Sequence, residues 1–275
     1  MSYSKPIDVQ AFLAEDIGSG DITAAIVSAT KSASARVITR EAMLCCGQEW
    51  FTAVFTALQP DIEINWLVTE GQWVQANELL CTLSGLARPL LTGERPALNL
   101  LQTLSATATQ AHKYAEAVAG TGCKVLDTRK TIPGLRDAQK YAVVCGGCYN
   151  HRIGLYDGIL IKENHIMAAG SIAEAVAIAR QLSDTILEVE VESMDELQQA
   201  IVAQPDRVML DNFTVPQLLV AVKLVAGKIA LEASGNISLR NIREIAETGV
   251  DYISIGALTK NILAVDLSMR IDLVD

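Results

Sequence analysis

The sequence predicts an α/β protein in which an N-terminal region of mixed strands precedes a parallel α/β barrel, complete or partial. Half of the 275 residues are hydrophobic, which is ample for the core of one large domain or two ordinary ones. Beyond Gly122, short apolar runs alternate with helical stretches. Repeated strand-helix units imply parallel strands covered by helices, and about six of them favour a barrel over an open sheet.

The first hundred residues follow a different pattern. IEINWLV (62–68) and NELLCTLSG (77–85) have the composition of short strands and flank the turn-rich TEGQWVQAN, which predicts antiparallel pairing. A long helix is predicted from Glu94 to about Gly120. Its apolar residues recur at alternating steps of three and four: Leu98, Leu101, Leu104, Ala108, Ala111, Ala115 and Val118.

The remainder of the chain supplies the barrel. Strands are predicted at 124–128, 158–162, 186–192, 207–211, 229–234 and 252–256. The helices between them are predicted at 171–182, 193–203, 214–226 and 238–249.

Charge and composition exclude several classes of protein. The net charge of −10 argues against a nucleic-acid or anionic-membrane surface. Acidic residues interrupt the N-terminus before any run long enough for a signal peptide, and about 18 consecutive apolar residues occur nowhere. We therefore expect a cytoplasmic protein without a membrane partner. Its six cysteines are predicted to be reduced thiols.

Positive charge is concentrated in one part of this acidic chain. Between Arg95 and Lys162 there are nine Lys and Arg residues against four acidic ones. Within that stretch, LDTRKTIPGLR (126–136) carries three cations beside a proline-glycine turn. Such segregation predicts a focused field over a small acidic ligand.

Functional side chains follow almost every predicted barrel strand. In an α/β barrel the active site forms at the carboxyl ends of the strands. Each group has a structural explanation when taken alone, because Arg129 could cap a helix and Lys162 could extend to solvent. Together they favour an active site: Asp127 to Lys130, Lys162, Glu190 and Glu192, Asp211, Ser234 to Asn236, and Ser254 with Gly256.

The chemistry of these groups predicts a phosphorylated sugar and a separate anion as ligands. The glycine-bearing loops after the last two strands suit a phosphate, because glycine lets the backbone approach oxygen. Glu192 and Asp211 offer the hard oxygen ligands that Mg²⁺ prefers. Arg152 suits a carboxylate, since its planar fork binds in a bidentate manner. His151, beside it, is either a ligand residue or a core histidine, and we favour the ligand role.

At this point the chain resembles the quinolinate phosphoribosyltransferase family, the carboxylating nicotinate-nucleotide pyrophosphorylases. Several long motifs occur in the family's order: EDIGSGDIT (15–23), ERPALNLLQTLSATAT (94–109), DTRKTIPGLR (127–136), KYAVVCGGCYNHRIGLYDGILIKENHI (140–166), LEVEVES (187–193), VMLDN (208–212), LEASGNI (231–237) and DYISIGALT (251–259). The similarity covers nearly the whole chain.

The resemblance implies an N-terminal α/β sandwich domain over residues 1–105 and an incomplete, six- or seven-stranded barrel over residues 106–275, whose C-terminal end can pack back on the first domain. It implies a homodimer or higher homo-oligomer in which each N-terminal domain faces the neighbour's barrel mouth. The implied reaction joins quinolinate to 5-phosphoribosyl 1-diphosphate with Mg²⁺. Diphosphate and CO₂ are released, and nicotinate mononucleotide is formed for NAD synthesis.

The resemblance also implies roles for residues that match the family's motifs. Lys130, Lys162, Glu192 and Asp211 are the implied catalytic residues, and the last two also bind Mg²⁺ and the ribose hydroxyls. Arg129, His151 and Arg152 are implied to bind quinolinate, with Arg95 entering from the neighbouring subunit. Lys130 and Lys162 are implied to lie between the two substrates, and Thr131 is a further implied substrate-binding residue. The implied 5-phosphate site comprises Ser234, Gly235, Asn236, Ser254, Ile255 and Gly256.

Three other interpretations stay open from the sequence. A paralogous phosphoribosyltransferase would act on another acid. A barrel aldolase would use Lys162 or Lys130 as a Schiff-base amine. A sugar-phosphate sensor would keep the barrel without the chemistry. The intact LIKENH and His-Arg motifs argue against the first of these.

Overall fold

A computed structural model describes residues 6–274, so residues 1–5 and 275 of the predicted domains lie outside the described residues. The chain divides into two compact units. One unit runs to Gln110 and takes in the residues from Ile262 onward, and the other is Ala111–Asn261. No helix within residues 6–274 has the length and apolarity that a bilayer crossing requires.

In chain order the elements up to the second unit are α1 (Gln10–Ile17), β1 (Ser32–Thr39), β2 (Met43–Leu44), α2 (Gln48–Leu58), β3 (Glu63–Trp66), β4 (Trp73–Val74), β5 (Leu79–Leu86) and α3 (Ala87–Ala117). The second unit continues with β6 (Lys124–Leu126), α4 (Arg136–Cys145), β7 (Ile159–Ile161), α5 (Glu163–Ala169), α6 (Ile172–Leu182), β8 (Leu187–Val191), α7 (Met194–Ala203), β9 (Arg207–Asp211), α8 (Val215–Val225), β10 (Ala230–Ser234), α9 (Ile242–Ala246), β11 (Tyr252–Ser254) and α10 (Ala257–Lys260). The last strand is β12 (Leu267–Leu273).

The first unit is built on a four-stranded antiparallel sheet in the order β12-β1-β5-β3. The predicted antiparallel pairing of the two early strands is confirmed, since β3 pairs with β5. Between them, β4 pairs with β2 in a separate small sheet, so the turn-rich segment is more than a hairpin loop. The predicted long helix is α3, which begins earlier than expected because Ala87 and Leu90 are buried and extend its apolar face.

Aromatic packing forms part of the first unit's core. The Phe51 ring lies 5.0 Å from that of Phe55 and 5.3 Å from that of Trp66, in edge-on arrangements. Gly93 of α3 approaches α2 so closely that a Cβ there would lie 2.7 Å from the Phe55 ring. The helix could therefore not carry a side chain at this position without moving the ring.

The second unit is a parallel six-stranded sheet in the order β6-β11-β10-β9-β8-β7. The first strand of the unit lies beside the last, as in a barrel, whereas β6 and β7 do not pair. The predicted incomplete α/β barrel is therefore confirmed, and each of the six predicted strands is present. The last predicted helix is shorter than expected, because Ser238 and Asn241 form a hydrogen-bonded turn before it begins.

Alternation along the strands separates two environments. Val189, Val208 and Leu231 point outward into the apolar core shared with the helices. Their neighbours in sequence, such as Glu190 and Met209, therefore face the barrel interior. Since the strands are parallel, their carboxyl ends open at one mouth.

The segment that follows α4 pairs with the otherwise free edge of β6. Tyr149 bridges Leu126 in parallel, with Tyr149 N donating to Val125 O at 2.8 Å. This pairing carries the next two residues, His151 and Arg152, to the carboxyl end of β6. None of the six cysteines, all of which lie within residues 6–274, forms a disulfide.

Candidate active site

A cavity of about 440 Å³ lies at the barrel mouth, within the size range of small-molecule sites. Its lining comes from all six strands or from the residues that follow them: Thr128, Arg129, Lys130, His151, Arg152, Leu160, Lys162, Glu190, Met209, Asp211, Ser234 and Ser254.

Short connections between strands and helices hold the functional groups at this mouth. Lys162 directly follows β7 and is the N-cap residue of α5. Between β8 and α7 there are only Glu192 and Ser193, and Ser193 Oγ accepts from Glu196 N at 3.2 Å to cap the helix. Capped helices leave these loops little freedom, because the first turn of each helix is tied to the strand end.

Two arginines converge on one side of the cavity. Burial lowers the pKa of the Arg152 guanidinium, and the like charge of Arg129 lowers it further. Within residues 6–274, the buried Nε of Arg129 has no hydrogen-bond partner. Two neighbouring cations with an unsatisfied donor are suited to binding an anion, which would supply both the missing charge and the missing acceptor.

Carboxylates line another part of the mouth. Oxygens of Glu190, Glu192 and Asp211 all lie within 4.8 Å of one another, so the three could jointly hold a metal ion. Lys162 Nζ donates to Glu190 Oε2 at 2.5 Å, and its side chain is 47% exposed. The lysine lines the cavity together with Glu190 and Asp211.

A tight backbone turn follows β10. Gly235 has φ +95°, and a Cβ there would lie 2.2 Å from Asn212 Oδ1, so this position requires glycine. Asn236, with φ 52°, donates from Nδ2 to Asn212 Oδ1 at 3.1 Å. The turn brings the loops after β9 and β10 into contact, as a compact phosphate site requires.

The backbone that carries His151 is clamped by a buried ion pair. Asp127 Oδ1 accepts from Lys140 Nζ at 2.5 Å and from His151 N at 2.9 Å. Lys140 Nζ also donates to His151 O at 3.1 Å. Burial raises the pKa of Asp127 to about 6 against the opposing charge of Lys140, and burial likewise lowers the pKa of Lys140.

His151 lines the cavity, but both of its ring nitrogens bind protein atoms. Nδ1 accepts from Arg152 N at 2.8 Å, and Nε2 lies 2.7 Å from Glu188 Oε2. Burial lowers the pKa of the imidazole, which favours its neutral form. Its expected role as a quinolinate ligand stays a prediction.

The structure brings eight of the predicted site residues together in the cavity lining: Arg129, Lys130, His151, Arg152, Lys162, Asp211, Ser234 and Ser254. Glu192 joins through the carboxylate cluster. A Cβ on Gly256 would lie 3.2 Å from Lys130 Cδ, so Gly256 adjoins the site as well.

Five other predicted residues lie outside the lining. Thr131 Oγ1 accepts from Arg136 Nε at 3.3 Å. Asn236 and Gly235 form the turn described above, and the Ile255 amide donates to Leu126 O at 2.9 Å. Arg95 belongs to the first unit, where it is exposed and pairs with Glu94 at 3.1 Å.

Glu188, Arg207 and Glu232 were missed in the sequence, although alternation could have found them. Each lies two residues before another inward-facing polar or lining residue: Glu190, Met209 and Ser234. A period of two along a strand puts such residues on one face. The residues at the strand ends do not by themselves reveal the layer beneath them.

A barrel with cations and a carboxylate cluster around one mouth cavity defines a class of enzyme that acts on small, highly anionic substrates, including phosphorylated ones. Within that class the chain belongs to the quinolinate phosphoribosyl transferase family. The family's C-terminal domain matches residues 107–270, and its N-terminal domain matches residues 21–105.

Individual proteins agree with this assignment. The chain is 42% identical to a probable nicotinate-nucleotide pyrophosphorylase [carboxylating] of Synechocystis sp., over 96% of this chain and 91% of the relative. A protein of the same name from Bacillus subtilis is 40% identical over 95% of this chain and 91% of its own length. The solved nicotinate-nucleotide pyrophosphorylase of Francisella tularensis is 51% identical, with a TM-score of 0.93 over 96% of this chain and 94% of that structure.

Proposed function

We propose that this chain transfers the phosphoribosyl group of 5-phosphoribosyl 1-diphosphate to quinolinate and decarboxylates the product to nicotinate mononucleotide, a step of NAD biosynthesis. The observation that carries this function is the pairing of Arg129 and Arg152 in one cavity with the cluster of Glu190, Glu192 and Asp211. An acceptor with two carboxylates needs the two arginines, and a ribosyl diphosphate needs the carboxylate cluster.

Quinolinate binds at the arginine side. Its carboxylates supply acceptors for the buried Nε of Arg129 and for the Arg152 guanidinium. Arginine is suited to this task because its donors match a carboxylate in a planar, bidentate manner. Lys130 and Lys162 also line the cavity, and they add charge between the two substrates.

The phosphoribosyl donor binds across the carboxylates and the turn after β10. Glu192 and Asp211 accept hydrogen bonds from the ribose hydroxyls, and the 5-phosphate lies against the loops that contain Ser234 and Ser254. Support comes from the exposure of these groups at the mouth and from the tight turn at Gly235.

The carboxylate cluster fits Mg²⁺, because its oxygens lie within 4.8 Å of one another and can supply the one or two hard carboxylate ligands that this ion uses beside substrate oxygens. Glu192 and Asp211 would hold it, with Glu190 as the additional neighbour. When bound, Mg²⁺ would neutralise charge on the diphosphate.

The reaction needs no covalent enzyme intermediate. The pyridine nitrogen forms a bond to ribose C1 as the C1–oxygen bond breaks and diphosphate leaves. Carboxylates beside the ribose stabilise the positive charge that develops on the sugar, and Lys130 and Lys162 offset charge on the leaving group. The cationic pyridine then accepts the electron pair of the breaking bond as the adjacent carboxylate leaves as CO₂, and a proton takes its place.

The functional assembly is a homodimer or a higher homo-oligomer in which Arg95 completes the neighbour's quinolinate site. Support comes from its side chain, which is 71% exposed and pairs with the adjacent Glu94. An exposed arginine on a long helix can reach a second chain at no cost to the core. A cytoplasmic location is proposed because no disulfide joins the six cysteines, which suits a reducing compartment.

The aldolase interpretation is less well supported. An aldolase lysine must act as a free amine, whereas Lys162 is bound to Glu190 in an ion pair. Borohydride trapping with a carbonyl substrate should give no adduct.

The test is formation of nicotinate mononucleotide from quinolinate and 5-phosphoribosyl 1-diphosphate, with and without Mg²⁺ and with nicotinate as the competing acceptor. We expect turnover of quinolinate that requires Mg²⁺. Lys130→Ala and Glu192→Ala should each lower kcat by about 100- to 1000-fold. Turnover of nicotinate in the absence of quinolinate would point to another acceptor. If Lys130→Ala and Glu192→Ala both left the protein's function unchanged, a sugar-phosphate sensor would be favoured.

A further inference from the structure

A cluster of four ionisable side chains lies in the layer beneath the cavity. His151 Nε2 is 2.7 Å from Glu188 Oε2 and 3.6 Å from Glu232 Oε2. Arg207 Nη1 donates to Glu232 Oε2 at 2.9 Å. The side chains of Glu188 and Glu232 are only 3% and 0% exposed, so the cluster belongs to the barrel interior.

Hydrogen-bond direction determines the protonation of His151. A backbone amide can only donate, so the Arg152 N–H requires a lone pair on Nδ1. The proton of the neutral ring is then on Nε2, where it is donated to Glu188. The carboxylate thus selects one tautomer, and through it the ring is oriented against the amide of Arg152.

The charges around the cluster are consistent with this tautomer. Burial raises the pKa of Glu232 to about 7, with a further increase from Glu188, so a substantial fraction of Glu232 is protonated near neutral pH. Burial also raises the pKa of Glu188, while the positive charge of Arg207 opposes that rise. The groups that face the imidazole are Glu188 from β8, Arg207 from β9, Glu232 from β10, Lys140 from α4, and Asp127 after β6.

The same histidine forms part of a thin wall. His151 and Arg152 line the mouth cavity and also a second cavity of about 260 Å³, which reaches Glu188 and Arg207. The ring lacks packing partners where it borders these cavities, and its hydrogen bonds to Glu188 and to Arg152 N contribute to its orientation.

A metal ion is a poor explanation of this cluster. A metal ion on Nε2 would replace the proton there, and Nδ1 cannot carry a proton because it accepts from Arg152 N. The ring would then have no N–H at all and would be an imidazolate anion. Metal-bound histidines instead donate from the second ring nitrogen to an acceptor. Arg207, bonded to Glu232, adds a repulsive charge.

We propose that Glu188 is a positioning residue for quinolinate: its carboxylate holds His151 as the Nε2–H tautomer and thereby fixes the backbone of Arg152 beside the bound dicarboxylate. This role rests on the proposed function, and it concerns a residue that is too buried to touch the substrate itself.

Three variants of Glu188 separate positioning from a general structural role. Glu188→Met removes the acceptor, Glu188→Asp withdraws it by one methylene while keeping the charge, and Glu188→Gln restores an acceptor oxygen without charge. Glu247→Gln, at an exposed ion pair with Arg243, is the matched control.

The first readout is kinetic. Glu188→Met and Glu188→Asp should raise KM for quinolinate about tenfold, the effect of one hydrogen bond to a charged group. Their KM for 5-phosphoribosyl 1-diphosphate should stay within about twofold of the parent's, because the donor binds away from this wall. Glu188→Gln should recover most of the loss.

The second readout is the ¹⁵N spectrum of labelled histidine, with the His151 signals assigned from their loss in a His151→Gln variant. The parent protein should show a protonated Nε2 and an unprotonated Nδ1, and Glu188→Met should show mixed tautomers. Should Glu188→Met fail to fold, Glu188→Asp still tests the same geometry.

Several results would overturn the proposal: equal rises in both KM values, a glutamine variant as impaired as the methionine variant, or a parent spectrum with the proton on Nδ1. A parent protein that does not turn over quinolinate would refute the proposed function instead. The spectrum reports on the tautomer in either case.

Discussion

Replacement of Arg129 by methionine should separate activity from stability. The buried Nε of Arg129 lacks a partner in the free protein, and its charge lowers the pKa of Arg152. Methionine keeps an unbranched apolar stem while removing both the unsatisfied donor and the like-charge repulsion. Arg129 should therefore contribute little to the free energy of unfolding and much to substrate binding.

The magnitudes follow from these contacts. An unsatisfied buried donor costs about 1–3 kcal/mol, so Arg129→Met should leave Tm equal to or above that of the parent. Loss of a bidentate contact to a carboxylate should remove about 3–4 kcal/mol of binding, which corresponds to about a 100- to 1000-fold lower kcat/KM for quinolinate.

The assay combines steady-state kinetics for both substrates with thermal unfolding in the absence of ligand. Arg240→Met, which removes an exposed arginine from the same unit, serves as the control and should change neither quantity. A large drop in Tm together with an unchanged kcat/KM would mean that Arg129 is structural, and the anion-site argument would be wrong.

Three further predictions concern the residues around the site. Gly235→Ala should raise KM for 5-phosphoribosyl 1-diphosphate and lower stability by about 1–3 kcal/mol. Gly227 also has a positive φ but has open space around it, so Gly227→Ala should lower stability only through backbone strain. Equal KM values in the two variants would count against a phosphate site at Gly235. Lys140→Met should lower stability by about 3–5 kcal/mol because Asp127 would be buried without its cation, and unfolding in urea should show a smaller loss when Asp127→Asn is added. The folded-state pKa of Glu232 is raised from 4.5 to about 7, so its contribution to stability is present below pH 4.5 and declines as the pH rises toward 7. Glu232→Gln should remove this decline in the free energy of unfolding, which is at most about 1.4 kcal/mol per pH unit. Parallel Tm profiles of the parent and the variant from pH 5 to 7.5 would contradict this prediction.

The sequence by itself determined the strand-helix repeat, the six parallel strands, and the functional groups at their ends. These features are local. Apolar periodicity shows which face of an element is buried, and a short βα connection restricts the position of the residue that follows a strand. Lys162 and Glu192 could be placed at the barrel mouth for this reason.

Only the tertiary structure decided which groups meet. Glu188, Arg207 and Glu232 come from three strands. Contact of the two glutamates with His151 depends on strand register and on the path of the chain across the gap between β6 and β7. The protonation of that histidine, the unsatisfied Nε of Arg129 and the raised pKa of Glu232 arise from burial and from charges distant in sequence, which no local pattern encodes.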